Sequence, residues 1–105
     1  TAVFGNRINQ AECRTMVDYL TLNKMPSLLE AGIPEGTRIA HKHGWVTNDG
    51  IINLIGDAGL IYTVGGDYVL SIFMYHPEQL IWDPSSALVG QLSRAVYNYF
   101  NLPSP

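Results

Sequence analysis

Apolar residues recur along the first third of the chain at helical spacing, and from Thr37 onward they close up into runs that suit strands. Cys13, Met16, Val17 and Leu20 stand at i, i+3, i+4 and i+7, the face of one helix. Asn9 with Glu12 three residues later has capping-box spacing, which predicts a helix starting near Asn9. Residues 1–8 lead into it with a Gly5-Asn6 turn signal. Residues 23–32 predict a second short helix, with Pro26 in its first turn and Gly32 as its C′ residue. Pro34-Glu35-Gly36 reads as a turn.

Residues 37–46 predict a strand, and Thr47-Asn48-Asp49-Gly50 a turn. The short apolar run 51–55 fits either loop or strand. Residues 57–64 predict a second strand and Gly65-Gly66 a hairpin, because both positions accept positive φ. Tyr68–Tyr75 is the strongest strand, β-branched, aromatic and nearly continuous in apolar character, which suits burial on both faces. Residues 76–84 form a loop, and Asp83-Pro84 resembles a helix cap followed by Pro at the first helical position. Leu88, Leu92, Ala95, Val96 and Tyr99 make the inner stripe of a final helix over 83–101, and residues 102–105 are a tail. The order is helix, helix, three strands, helix. Short connections between sequential strands predict an antiparallel meander, so the fold class is α+β. The chain is expected to form a single partial domain over 1–105, with a helical segment at 1–36, antiparallel strands at 37–76 and the C-terminal helix after them.

The 105 residues are 47% hydrophobic and 14% charged, with a formal net charge of −3 and one cysteine. General disorder does not fit this balance. Only six Lys plus Arg argue against a nucleic-acid partner. One cysteine can form neither an internal disulfide nor a thiolate zinc cage, and Cys13 fits the inner helical stripe as a small buried hydrophobe. The apolar runs fall short of the roughly 20 residues that span a membrane. Thr1 follows no basic-then-apolar leader pattern and reads as a start set by processing, cleavage or choice of fragment.

Residues 39–45, Ile-Ala-His-Lys-His-Gly-Trp, hold the densest chemistry. Three readings of them compete. One is a polar edge strand with a solvated Lys42. Another is a His-x-His metal site, since residues i and i+2 share a strand face, but His41 and His43 are two ligands and a site needs more. In the third, Lys42 attracts a substrate carboxylate and Gly44 lets a ligand approach the strand. Asp57 reads as a residue that caps or pairs within the sheet, and Trp82 as a packed aromatic.

The surrounding pattern resembles the C-terminal part of class A β-lactamases and related penicillin-recognising serine hydrolases. The residues that carry the resemblance are a helix and a helical turn before Pro34-Glu35-Gly36, then Lys42-His43-Gly44 where the family has Lys-Thr-Gly, then two more strands and a last helix. The resemblance implies that Lys42 holds the substrate carboxylate and influences proton transfer near the nucleophile. It implies that Gly44 lets the strand pack against the ligand and that the Trp45 N–H is one oxyanion-hole donor. His43 stands where the family has Thr or Ser, and an imidazole can also donate a hydrogen bond to a carboxylate. No Ser in the chain has Lys at +3 or Asn at +2, and Thr21-Leu22-Asn23-Lys24 reads as a helix end.

By this resemblance the chain is the distal wall of a serine-hydrolase cleft. The 105 residues alone should not catalyse acyl transfer, whereas a parent carrying the upstream motifs would acylate on and hydrolyse β-lactam or related amide substrates. The implied ligand is a β-lactam or a peptidoglycan-like small molecule, with no cofactor. The implied partner is the N-terminal half of the parent protein, in an extracytoplasmic setting. The alternative is a non-catalytic ligand-binding or structural relative of penicillin-binding proteins. Apolar surface left open on the outer strand and helix predicts a homo-oligomer, formed by pairing of exposed strands or by element exchange.

Overall fold

The computed structural model describes residues 9–102, so the turn expected at Gly5-Asn6 and the tail residues 103–105 lie outside the described residues. Helix α1 covers Gln10–Thr21 and a 3-10 helix covers Leu28–Gly32. Strands β1 (Arg38–Asn48), β2 (Ile51–Tyr62) and β3 (Tyr68–Tyr75) follow, then helix α2 (Trp82–Phe100). The strands form an antiparallel meander in the order β1-β2-β3, the α+β arrangement expected. Among the described residues no helix is long and apolar enough to cross a membrane.

The capping box at the start of α1 is present. Asn9 Oδ1 accepts from the Glu12 N–H at 2.8 Å, and Glu12 Oε2 accepts from the Asn9 N–H at 3.4 Å. Cys13 is buried, Val17 and Leu20 are half-buried and Met16 is exposed, because α1 packs along β1 on a narrow stripe.

The second helix is shorter than expected and begins only at Leu28, so Pro26 precedes it instead of opening it. A proline disfavours helical backbone at the residue before it, which keeps Met25 out of a helix. The Met25 N–H is bound by Glu30 Oε2 at 3.0 Å. Gly32 closes this element for a steric reason. A β-carbon there would run into the Gly90 carbonyl, the Arg94 N–H and the Ser93 side chain of α2.

Asp49 and Gly50 have φ of 52° and 78°, the signature of a two-residue type I′ turn. That turn pairs Asn48 with Ile51, so the run 51–55 becomes strand and fuses with the next one into the 12-residue β2. In the second hairpin only Gly66 has positive φ. Gly65 is needed because the end of α2 crosses it, and Asn101 Oδ1 accepts from its N–H at 2.9 Å.

Two expectations about burial are corrected. β3 is not buried on both faces. It alternates, with Val69, Phe73 and Tyr75 at 73%, 64% and 68% exposed, because among the described residues β3 is an edge strand covered on one side only. The inner stripe of α2 is also different. Ser85, Val89, Gly90 and Ser93 are buried, while Leu88, Leu92 and Tyr99 are exposed. α2 packs mainly on the 3-10 helix, where close backbone approach selects small residues. Ser93 Oγ donates to the Leu29 carbonyl at 2.8 Å, and Ser86 Oγ accepts from the Leu28 N–H at 3.3 Å. The helix also starts earlier than the Asp83-Pro84 reading. Its N-cap is Ile81, and Pro84 lies among the first residues, whose N–H groups have no acceptor within the helix. The core is Leu28, Leu29, Ile33, Ile39, Ile55, Ile61, Tyr68 and Val89, between one face of the sheet and the helices after α1.

Candidate functional site

Alternation along β1 sorts its chemistry onto two faces. His41, His43 and Trp45 share one face as a ladder of rings. His41 and His43 have centroids 6.5 Å apart, His43 stacks on Trp45 at 5.8 Å, and Trp45 meets the edge of Trp82 at 5.5 Å. Trp82 is thus the packed aromatic expected. Lys42 and Gly44 point to the other face, beside Ala58 and Gly56 of β2.

His41 is fully buried. Its Nδ1 lies 3.0 Å from Asp57 Oδ1 and 3.1 Å from Oδ2, and Asp57 Oδ2 also accepts from the Leu29 N–H at 3.2 Å. Its Nε2 has no hydrogen-bond partner among the described residues, and Glu30 Oε1 stands 4.0 Å away. Burial works against a charged imidazole here. The hydrogen bond and charge of Asp57, helped by Glu30, outweigh it and hold His41 above the ordinary histidine range. Asp57 therefore pairs within the sheet, as expected, and the pair ties β1, β2 and the 3-10 helix together.

His43 is half-buried one turn of the ladder further on. Its Nδ1 lies 3.2 Å from Asn23 Nδ2, and the same nitrogen donates to the His41 carbonyl at 3.1 Å. Partial burial and the neighbouring Lys42 charge lower its pKa, against a weaker pull from Asp57. His41 and His43 do share a face, but among the described residues no group of three potential ligands could hold a metal ion.

Lys42 is exposed, and its Nζ donates to the His43 carbonyl at 2.9 Å. With His43, Gly44, Trp45, Val46, Leu54, Gly56 and Phe73 it lines a cavity of about 330 Å³. Gly56 is covered by the Phe73 ring, which a β-carbon at that position would strike. Gly44, opposite Gly56 in the register, is open, and a β-carbon there would meet nothing within 4 Å. Trp45 is 49% exposed, on the outer strand of the sheet.

A sequence model of the beta-lactamase enzyme family matches residues 2–100. The chain belongs to that family. No curated protein matches it. Among solved structures it is similar to PBP-A, with 28% identity over 92% of this chain and 34% of that one at a TM-score of 0.71. It is similar to a PBP-A variant solved as an acyl-enzyme complex with penicillin G, with 31% identity over 92% of this chain and 34% of that one at a TM-score of 0.72. A beta-lactamase from Sphaerobacter thermophilus matches with 25% identity over 92% of this chain and 35% of its own at a TM-score of 0.73. This beta-lactamase-family chain thus spans about a third of the length of the structures it matches.

The structure brings Lys42, His43, Gly44 and Trp45 around one cavity, with the rings of His43 and Trp45 stacked on each other. Sequence reasoning passed over Asn23 and Glu30. Asn23 lies 20 residues from His43 and Glu30 sits on the 3-10 helix, so no short-range spacing marks either one.

Proposed function

We propose that this chain is the rear wall of a serine acyl-transfer cleft, with β1 as the strand against which the ligand lies. The observation that carries the reading is Gly44. It has no positive φ, and a β-carbon there would meet nothing within 4 Å, so packing among the described residues does not require a glycine, whereas a ligand lying on the strand does. Lys42 beside it supplies the cation for a substrate carboxylate, His43 a ring N–H donor, and the Trp45 N–H one oxyanion-hole donor. The similarity to an acyl-enzyme complex with penicillin G supports a β-lactam or a peptidoglycan-like amide as the ligand.

The 105 residues are part of one domain in this reading. The nucleophile comes from an N-terminal half of the parent protein, which also covers the open side of β3 and the outer stripe of α2. The setting is extracytoplasmic. Intact mass of the parent after exposure to benzylpenicillin tests the reading. The expected result is a covalent adduct that Lys42→Ala reduces about 100-fold in rate, in the range of losing one electrostatic contact to the transition state. An unmodified parent, or an adduct indifferent to Lys42, overturns it.

A second reading is favoured by His43, a larger and titratable group where the family has a hydroxyl. Here the protein binds the same ligands without turnover, and benzylpenicillin shifts the signals of Lys42 without leaving an adduct.

A further inference from the structure

Asn23 Nδ2 faces two groups at once, the His41 carbonyl oxygen at 3.1 Å and His43 Nδ1 at 3.2 Å. A carbonyl oxygen only accepts, so the Asn23 atom against it is the amide nitrogen. That nitrogen carries two hydrogens, and two acceptors stand in front of it. His43 Nδ1 must then present its lone pair, since a hydrogen there would point at the amide hydrogen. The imidazole is left neutral, with its one hydrogen on Nε2. We infer that Asn23 is a positioning residue that locks His43 as a neutral Nε2–H donor beside Lys42.

The surroundings favour this state. Lys42, on the same strand, opposes a second positive charge next to it. The imidazole of His41 lies behind, its Nδ1 on Asp57 of β2 and its Nε2 toward Glu30 of the 3-10 helix, so those carboxylates are already engaged. Stacking on Trp45 at 5.8 Å holds the ring plane, which leaves the tautomer to Asn23.

This deepens the proposed function and rests on it for its chemical meaning. A cleft with one ammonium and one neutral N–H takes a ligand with a single anionic group and an acceptor at the second contact. The donor persists across neutral pH, as a hydroxyl would in the same place. An unlocked histidine would change charge there.

Nitrogen-15 spectra of the histidine-labelled chain, taken without ligand between about pH 6 and pH 8, read the tautomer directly. The expected His43 pattern is an unprotonated Nδ1 and a protonated Nε2 throughout. Hydrogen on Nδ1, or a doubly protonated ring at neutral pH, overturns the inference. Asn23→Asp puts an acceptor where the amide donated. It should move the hydrogen to Nδ1 and raise the His43 midpoint by about one pH unit or more. A folded Asn23→Asp chain with His43 unchanged overturns the inference as well. If that variant does not fold, Asn23→Ala should give a mixture of tautomers, and a pure Nε2–H ring there has the same overturning force. Benzylpenicillin added to the parent protein, with His43 read in the same spectra, separates this inference from the cleft reading. A locked tautomer with no response at Lys42 sinks the cleft and leaves the lock. A response at Lys42 with the wrong tautomer does the reverse.

Discussion

A buried imidazole flanked by two carboxylates makes the stability of β1 depend on pH. His41 has a folded pKa above its ordinary value of about 6.5, so its contribution is fully present below about pH 6.5 and is lost as pH rises through the folded value. His43 acts in the other direction. Its lowered pKa reduces stability only as pH falls below about 6.5, so the decline above that pH belongs to His41. Denaturant midpoints should therefore peak near neutral pH and fall on the alkaline side. Asp57→Ala should flatten that alkaline limb. It should also cost about 3 kcal/mol at pH 6, since it strands a buried His41 and the Leu29 N–H together. A variant that keeps the limb would show that another group titrates there.

Among the elements, the 3-10 helix and α2 approach closely at Gly32, and Gly44 on β1 is a glycine of the opposite kind. At Gly32 a methyl group would meet backbone of α2, which cannot swing aside as a side chain can. Gly32→Ala should cost about 2 kcal/mol or more by overpacking. At Gly44 the same methyl meets open space. Gly44→Ala should stay within about 0.5 kcal/mol of wild type in denaturant unfolding, yet in the parent it should slow acylation by benzylpenicillin at least tenfold. Equal stability with unchanged acylation would leave Gly44 no role in the cleft. Asn101 fixes the other end of α2. Its Nδ2 donates to Thr63 Oγ1 at 3.1 Å and to the Tyr97 carbonyl at 3.0 Å, which ties the helix end to the hairpin before β3.

Across the whole molecule, two groups of exposed apolar side chains among the described residues invite association. β3 exposes Val69, Phe73 and Tyr75, and α2 exposes Leu88, Leu92 and Tyr99. An edge strand with such side chains is a template for pairing. The 105-residue chain should therefore self-associate, with a mass by light scattering that grows with concentration. Leu88→Lys with Leu92→Lys should reduce the helix contribution, and Val69→Lys that of the strand. A stable monomer at high concentration contradicts this.

The features legible in the amino-acid order are those that local chemistry dictates. Asn9 and Glu12 cap α1, Asp49-Gly50 turns the first hairpin, and apolar spacing orders the helices and the three strands. Each of these depends on residues close together in the chain, so spacing is enough to read them. Lys42, His43 and Gly44 were visible for the same reason, as three consecutive residues on one strand. Which side of α2 turns inward depends on its packing partner. Both stripes of that helix are compatible with burial, and a close-lying 3-10 helix selected Ser85, Val89 and Ser93 over the larger Leu88 and Leu92. The register of β1 on β2 puts Asp57 opposite His43 and within diagonal reach of His41 on the same face, and the path of the chain after α1 brings Asn23 to His43. Hydrogen bonds between residues 16 and 20 positions apart leave no period in the sequence, and they exist only once the strands have paired.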